Sequence, residues 1–293
     1  MRTVLIVGNF TLDEITIGKC RYSCIGGPPS YAGLFLSTYS IKLAVAGCYG
    51  HEADMVVDSL RCRGASVTPE CNGCQATSRF RLIGSKKKKI TIIDPGCRIT
   101  RIPEGHYDYA IVNGVCGEIG PGLMSNIRKS SRFVYLDPQG LLRKRKRGRV
   151  EMAAGPELME YIKYADALKV NREELELITG TVDPVKAYSM LGKNTAMIIS
   201  ESHRVMQVGN GKMLELEFKP VRAYDGVGMG DLFGAGYVLG KMISGEKMGL
   251  AMGHAAATAR PLERGLFKVP HWREVMGKAQ SLLGTVKELQ QRL

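Results

Sequence analysis

Short apolar runs alternate with segments of helical periodicity along most of the chain. Helical spacing of apolar residues predicts helices over 30–40, 52–63, 156–164, 172–179, 185–192, 231–244, 247–260 and 272–291. Between them, runs that are apolar on both faces, as buried parallel strands are, occupy residues 4–7, 43–46, 109–112, 133–136, 167–170 and 197–199. This alternation predicts an α/β fold, a doubly wound and mainly parallel sheet flanked by helices.

Two segments interrupt this alternation in the N-terminal half. Residues 13–25 and 78–93 alternate polar and apolar positions, which is typical of antiparallel strands, and the second contains a Gly84-Ser85 turn. We expect them to form a small β lid inserted into a single domain of residues 1–293. Strand edges exposed on such a lid could pair with a second subunit, so a homodimer is also expected.

The length and composition are those of an ordinary globular protein. The chain has 293 residues, of which 44% are hydrophobic and 24% charged, enough to bury a substantial core. No run of 18 apolar residues occurs, so we expect no membrane span. The opening MRTVLIVGNF fits a buried strand better than a signal peptide, and we therefore expect a cytoplasmic protein.

The net charge of +13 comes from two local clusters. Ten basic residues lie in Lys86–Lys89 and in the segment 143–149, and without them the net charge falls to about +3. We interpret both clusters as solvated loops. A nucleic-acid-binding protein remains a remote alternative, because aromatic residues do not interleave with the clusters and no known nucleic-acid-binding motif accompanies them.

The eight cysteines have two interpretations. The pairs Cys20/Cys24 and Cys71/Cys74 could together hold zinc. Disulfides of the kind found in intracellular proteins of hyperthermophiles are favoured instead. Only seven Asn and six Gln occur in the chain, and this depletion of thermolabile side chains indicates a thermophilic source.

A glycine-rich turn precedes the predicted helix that begins near residue 231. Gly226, Gly228 and Gly230 would leave backbone N–H groups at a helix N-terminus, which is a site suited to phosphate. Asp231 follows directly, and its carboxylate could accept a proton from an attacking hydroxyl group. The alternative is a simple helix start, where Asp231 only interacts favourably with the helix dipole.

Residues 225–236, DGVGMGDLFGAG, resemble the D-T-x-G-A-G-D-x-F signature of the PfkB/ribokinase family of carbohydrate kinases. Three further motifs resemble those of the family in the family's order, at residues 7–13, 26–32 and 170–174. The resemblance implies a ribokinase-like fold, with Asp231 as catalytic base. It also implies an anion hole from Gly228, Met229 and Gly230 to Asp231. Gly226 stands where Thr is usual and Met229 where Ala is usual, and neither change removes a backbone donor.

On the acceptor side, the resemblance implies that the hydroxyl-bearing substrate contacts the first two motifs. The residues concerned are Asn9, Asp13, Gly26, Gly27 and Ser30, the last in place of the family's common Asn. Asp13 could alternatively cap a turn, and the glycine pair could be a hinge.

On the donor side, the resemblance implies ATP as co-substrate and Mg²⁺ as cofactor. Asn171 and Glu174 match the N-x-x-E motif, in which Glu174 would reach the metal through water. Both residues could instead form only a helix cap. Ser200, Gly226 and Ala257 are the other candidate nucleotide-binding residues, although the segment at Ser200 lacks the family's usual glycine.

Together with residues 7–10 and 26–31, the segment 137–143, DPQGLLR, resembles the inositol-kinase branch of the family, and we expect an archaeal source. It follows a predicted strand, so Gln139 and Arg143 would lie at the sheet edge where α/β proteins bind ligands. Arg143 could equally be part of a solvated basic surface. The acceptor expected from this resemblance is myo-inositol, with ribose, fructose or a nucleoside as alternatives.

Overall fold

The computed structural model describes residues 1–69, 71–84, 89–146, 149–192, 194–221, 226–259 and 269–289. Its strands are β1 (Thr3–Val7), β2 (Thr11–Ile17), β3 (Cys20–Gly26), β4 (Lys42–Ala46), β5 (Ser66–Thr68), β6 (Ser78–Ile83), β7 (Lys89–Asp94), β8 (Tyr107–Asn113), β9 (Ser131–Asp137), β10 (Arg143–Lys146), β11 (Arg149–Met152), β12 (Ala167–Asn171), β13 (Ala196–Ser200), β14 (Arg204–Gly209), β15 (Lys212–Glu217) and β16 (Lys287–Leu289).

A π-helical turn (Pro29–Gly33) and a 3₁₀ turn (His51–Ala53) precede the first two α-helices. The α-helices are α1 (Leu34–Leu36), α2 (Asp54–Cys62), α3 (Pro121–Ser130), α4 (Gln139–Leu142), α5 (Leu158–Ile162), α6 (Arg172–Thr179), α7 (Pro184–Met190), α8 (Met229–Thr258) and α9 (Trp272–Leu283). Helix α8 is interrupted at Ser244 and Gly245, close to the break expected between two helices there.

The large sheet has the order β16-β15-β14-β13-β12-β9-β8-β1-β4-β5. Its strands from β13 to β5 run parallel, and β14, β15 and β16 add an antiparallel edge. Apolar clusters cover both faces, one packed against α8 and α9 and the other against α3, α5 and α7. The predicted doubly wound α/β sheet flanked by helices is confirmed.

A smaller sheet has the order β10-β11-β7-β6-β2-β3. The predicted pairs 13–25 and 78–93 correspond to β2–β3 and β6–β7. Within the basic segment, residues 143–146 and 149 also join this sheet, because β10 pairs antiparallel with β11, and β11 pairs with β7. Our interpretation of that segment as a loop is therefore wrong.

The ends of two helices differ from the predicted ends, at positions where the sequence carries weak signals for a helix end. The helix expected over 30–40 ends at Leu36, and the one expected over 272–291 ends at Leu283 and is followed by β16. Helix α3 and the β14–β15 hairpin were not predicted. Ser85 of the expected turn, Lys86–Lys88, Arg147 and Asp225 lie outside the described residues.

Two disulfides connect Cys48 to Cys71 and Cys74 to Cys97. They join the segment before β6 to the residues after β4 and after β7. The expectation of disulfides is confirmed. The zinc alternative does not form, because Cys71 and Cys74 are both bonded to other cysteines. No helix within the described ranges is long and apolar enough to cross a membrane.

Candidate active site at the carboxyl edge of the large sheet

A cavity of about 230 Å³ lies where the parallel strands end and the small sheet covers them. Strands β8 and β9 end side by side at Asn113 and Asp137, which are paired in register. The carboxyl ends of parallel strands are where open α/β sheets bind ligands. The small sheet contributes apolar side chains to the opposite wall, namely those of Phe80, Leu82 and Ile90.

Helix α8 begins at this cavity. Its N-cap, Gly228, has φ 76°, and a Cβ atom there would lie 2.5 Å from the Tyr31 ring, so the position requires glycine. The N–H of Leu232 donates to the Gly228 carbonyl at 2.9 Å and makes the first turn of the helix. The N–H groups of the three preceding residues therefore have no partner within the helix, as an anion-binding helix start requires.

Asp231 lies in that first turn and lines the cavity. Its Oδ1 accepts a hydrogen bond from Asn113 Nδ2. Burial raises the pKa of Asp231 to about 8, and the nearby Asp137 carboxylate acts in the same direction against the cations Arg143 and Lys169. A carboxyl group with this pKa can take up a proton near neutral pH.

Asp137 and Lys169 form a buried ion pair beside Asp231. Lys169 Nζ lies 3.1 Å from Asp137 Oδ2, and the side chains are 9% and 4% exposed. Burial opposes the charged form of Lys169, but the carboxylates of Asp137 and Glu174 outweigh it, so the pKa of Lys169 is raised. Lys169 therefore keeps its positive charge next to the start of α8.

Some residues of the first two sequence motifs line the cavity, and others lie behind its wall. Asp13 and Gly27 line the cavity. Gly26 lies behind Asp13, where a Cβ atom would come within 2.5 Å of the Asp13 carboxylate. Ser30 is fully buried, and its Oγ donates to the Gly26 carbonyl at 2.6 Å. Gly26 and Ser30 therefore hold the segment that leaves room for Asp13, and the expectation that they contact the acceptor stays a prediction.

Asn9 also lies beneath the cavity. It is fully buried, and its Oδ1 accepts from the Cys48 N–H at 2.9 Å. Its Nδ2 donates to the Cys97 carbonyl at 2.7 Å. Both polar atoms of the amide are thus engaged by the protein, and Asn9 connects the two disulfide-bonded regions. Its assignment as an acceptor ligand stays a prediction.

Gln139 and Arg143 line the cavity together, as predicted from the segment after β9. Arg143 donates to Gln139 Oε1 at 2.7 Å and to the Val115 carbonyl at 3.0 Å. Its guanidinium group also lies 5.8 Å from the centre of the Phe80 ring. Arg143 is therefore an oriented group of the cavity wall rather than a freely solvated surface residue.

Asn171 and Glu174 form a capping box at the start of α6. Asn171 Oδ1 accepts from the Glu174 N–H at 2.8 Å, and Glu174 Oε2 accepts from the Asn171 N–H at 2.9 Å. Glu174 is 3% exposed, and burial raises its pKa although the neighbouring Lys169 acts against this. Asn171 and Glu174 therefore form the helix cap that was the alternative interpretation of this pair. In this arrangement Glu174 lies below the cavity floor.

A second cavity of about 310 Å³ adjoins the first, and Gly230 and Lys169 line both. Ser200, Met229 and Ala257 lie on its wall. Most of its other lining side chains are apolar, and the ring of Phe218 stacks on that of His254 at 3.8 Å between centroids. Burial lowers the pKa of His254 to about 4, so the histidine is neutral and adds no charge to the cavity.

Gly226 lies on the wall of the first cavity with φ 61°, so the described part of the glycine turn approaches Asp231. Residues 261–265, PLERG, which follow α8 in the sequence, lie outside the described residues.

Sequence reasoning missed several side chains of the site. Asn113, Asp137 and Lys169 are separated along the chain and meet only when β8, β9 and β12 pair. Glu118 was also missed: its buried carboxylate accepts from the N–H groups of Val115 and Cys116 at 2.7 and 2.8 Å and shapes that wall. A polar residue at the last position of an apolar strand is the signal that could have identified Asn113 and Asp137.

No family model and no curated protein matches the sequence. Solved structures do match. A pyrophosphate-dependent kinase in the ribokinase family, complexed with a pyrophosphate analogue and myo-inositol, has a TM-score of 0.74 at 19% identity, over 88% of this chain and 96% of that chain. A Vibrio cholerae fructokinase with fructose, ADP and calcium bound has a TM-score of 0.73 at 15% identity, over 95% and 99%.

A nucleoside kinase of Methanocaldococcus jannaschii, an archaeal member of the ribokinase family, has a TM-score of 0.71 at 16% identity, over 96% of this chain and 99% of that chain. At these identities the likeness concerns the fold. The protein has the ribokinase-like fold, as the sequence motifs implied.

Proposed function

We propose that the protein is a magnesium-dependent kinase that transfers the γ-phosphoryl group of ATP to a hydroxyl group of a small polyol or sugar. The observation that carries this proposal is the position of Asp231. Its carboxylate lines a polar cavity, while Gly230, one residue earlier, lines both that cavity and an apolar one. The Asp231 carboxylate and the N-terminus of α8 thus lie between two cavities. The polar cavity suits the hydroxyl-bearing substrate, and the apolar cavity suits the nucleotide.

The first cavity suits a cyclic polyol. Asp13, Asn113 and Gln139 offer hydrogen-bonding groups, and Phe80 and Leu82 offer an apolar surface. A polyol ring has hydroxyl groups around its rim and C–H groups on its faces, and it can use both kinds of wall. We take myo-inositol as the acceptor, in agreement with the ligand of one structural neighbour. Ribose, fructose and nucleosides are the alternatives, since neighbours include a fructokinase and a nucleoside kinase.

The second cavity favours ATP over pyrophosphate as donor. Pyrophosphate has no apolar part, whereas an adenine ring would bury its faces against side chains such as Phe218 and Val205. Ser200 and Ala257 would then lie near the base or ribose. Pyrophosphate is the second candidate donor, because three structures of the same fold are of pyrophosphate-dependent kinases.

Magnesium would be held mainly by the donor phosphates and water. The described residues contain no group of three or more His, Cys, Asp or Glu side chains that could form a metal cage. This fits Mg²⁺, which often retains several waters and binds few protein ligands. We expect Glu174 to reach it through water, while one carboxylate oxygen accepts from the Asn171 N–H. When bound, the ion would offset charge on the transferring phosphoryl group.

The proposed reaction is a direct transfer of the phosphoryl group from the donor to the acceptor hydroxyl. The acceptor hydroxyl attacks the γ-phosphorus in line, its proton passes to the Asp231 carboxylate, and ADP leaves. The N–H groups of Met229, Gly230 and Asp231 would donate to the phosphoryl oxygens as negative charge develops. Lys169 adds a positive charge from below, and the small sheet would act as a lid that excludes water.

A homodimer through the edge strands of the small sheet, β3 and β10, and a thermophilic source remain part of the proposal.

The test is a transfer assay with every donor and acceptor combined. ATP or pyrophosphate, each with magnesium, would be incubated with myo-inositol, ribose, fructose or cytidine, and the phosphorylated products would be identified by ³¹P nuclear magnetic resonance. We expect inositol phosphate from ATP. A product from another acceptor would replace myo-inositol but keep the kinase. No phosphorylated product from any combination would refute the proposed function.

A further inference from the structure

A third cavity, of about 350 Å³, lies behind the wall that carries Arg143. It separates strand β10 of the small sheet from helix α5 and the segment that follows β7. We call it the basic groove. Its charged and hydroxyl-bearing lining residues are Arg98, Arg143, Lys144, Arg145, Glu157 and Tyr161.

The groove concentrates positive charge. Four cations line it, against the single carboxylate of Glu157, which Lys144 Nζ contacts at 2.9 Å. Within the described ranges, neither Arg98 nor Arg145 has an ion pair or a side-chain hydrogen bond. Like charges in one concave surface repel one another and attract anions. The groove therefore has two guanidinium groups whose donors are not engaged by the described residues.

Arg143 lies between the groove and the first cavity and lines both. Its bonds to Gln139 and to the Val115 carbonyl fix the guanidinium plane, so the positive charge is held in place. An anion in the groove would face a charge that is already oriented, and little side-chain freedom would be lost there on binding.

We propose that the basic groove binds a small anion carrying one or two phosphoryl groups. Guanidinium groups match the geometry of phosphate oxygens, and the cavity volume falls in the range of small-molecule sites. Nucleic acid fits less well, because Tyr161, the one aromatic side chain among the described residues that line the groove, is held by a hydrogen bond from its hydroxyl group to the Ile119 carbonyl at 3.2 Å. It is thus not free to turn towards a base.

The test uses pyrophosphate as the probe in isothermal titration calorimetry, without donor or acceptor. The groove variant replaces Arg98, Lys144 and Arg145 by Gln. A matched control replaces three exposed cations that line none of the cavities described here, Lys42, Arg63 and Arg273. Both variants lose three positive charges, so a change restricted to the groove variant reports on the site. Far-ultraviolet circular dichroism would verify that both remain folded.

We expect the groove variant to bind one pyrophosphate fewer than the wild type and the control, or to bind it at least 10-fold more weakly at that site. The comparison holds whether or not the helix start also binds pyrophosphate, so failure of the proposed kinase function would be seen separately. Equal stoichiometry and affinity in all three proteins would overturn the proposal. So would loss of binding to a single-stranded oligonucleotide in the groove variant with pyrophosphate binding unchanged.

Discussion

Replacing Asp231 by Asn should greatly reduce turnover and stabilise the protein in a pH-dependent manner. The substitution keeps the size of the side chain and an oxygen that can accept from Asn113, but it removes the proton acceptor. Loss of a general base costs about 10²- to 10⁴-fold in rate. We therefore expect kcat for phosphoryl transfer to fall by at least about 100-fold.

The effect on stability follows from the raised pKa of Asp231. Its pKa is about 8 in the folded protein, against an ordinary value of 3.8. The folded protein therefore retains this proton at pH values where the unfolded chain has lost it. Consequently, the wild type loses stability relative to the non-ionising variant as pH rises from about 4 to about 8. At about 1.4 kcal/mol per pH unit, the difference in unfolding free energy should grow by about 4 kcal/mol between pH 5 and pH 8.

The assay is urea unfolding of both proteins at pH 5, 6, 7 and 8, followed by circular dichroism. Arg143, Lys169 and Asp137 are present in both proteins. Much of their own contribution to the unfolding free energy therefore cancels when the two proteins are compared. A stability difference that does not change with pH would refute the burial argument for Asp231. Turnover of the variant near the wild-type rate would refute its role as base.

Three further predictions concern the same site and its support. The rate of transfer should rise from pH 6 to pH 9, because only the ionised Asp231 can accept a proton and its pKa is about 8; a rate independent of pH would argue against it. Gly228→Ala should lower kcat by about 100-fold or more, whereas Gly277→Ala, in open space on α9, should not; equal rates would contradict the anion hole. Reducing Cys48–Cys71 and Cys74–Cys97, each closing a separation of 23 residues, should remove about 3 kcal/mol each and lower Tm by about 10 °C; an unchanged Tm would contradict their contribution.

The sequence predicted the buried parallel strands well because burial on both faces leaves a continuous apolar run. Helix α6 was predicted with its observed bounds, since Asn171 and Glu174 mark its start by a capping box. Strand β10 shows the opposite case. Its sequence, RKRK, has the composition of a solvated loop, and it becomes a strand through its pairing with β11. Pairing between segments is not encoded in the local pattern.

The candidate site was predictable where one segment carries several of its groups. The glycine turn and Asp231 are contiguous, and the motif was recognisable before the fold was known. Asn113 meets Asp231 across 118 positions of sequence, so no local pattern could connect them. Asn9 and Ser30 show a second limit of prediction from motifs, because a motif identifies a polar residue but not the partner of its hydrogen bonds. Both residues make hydrogen bonds within the protein and support the cavity from below.

The central claim is that Asp231 accepts the proton of the acceptor hydroxyl at the start of α8. The most direct measurement is the distance between the Asp231 carboxylate and the nearest acceptor hydroxyl in a crystal structure with myo-inositol, magnesium and a non-hydrolysable ATP analogue. We predict a hydrogen bond of about 2.6–3.2 Å, with the γ-phosphate at the N–H groups of residues 229–231. A hydroxyl group that faces another side chain, with Asp231 turned away from both ligands, would contradict the account.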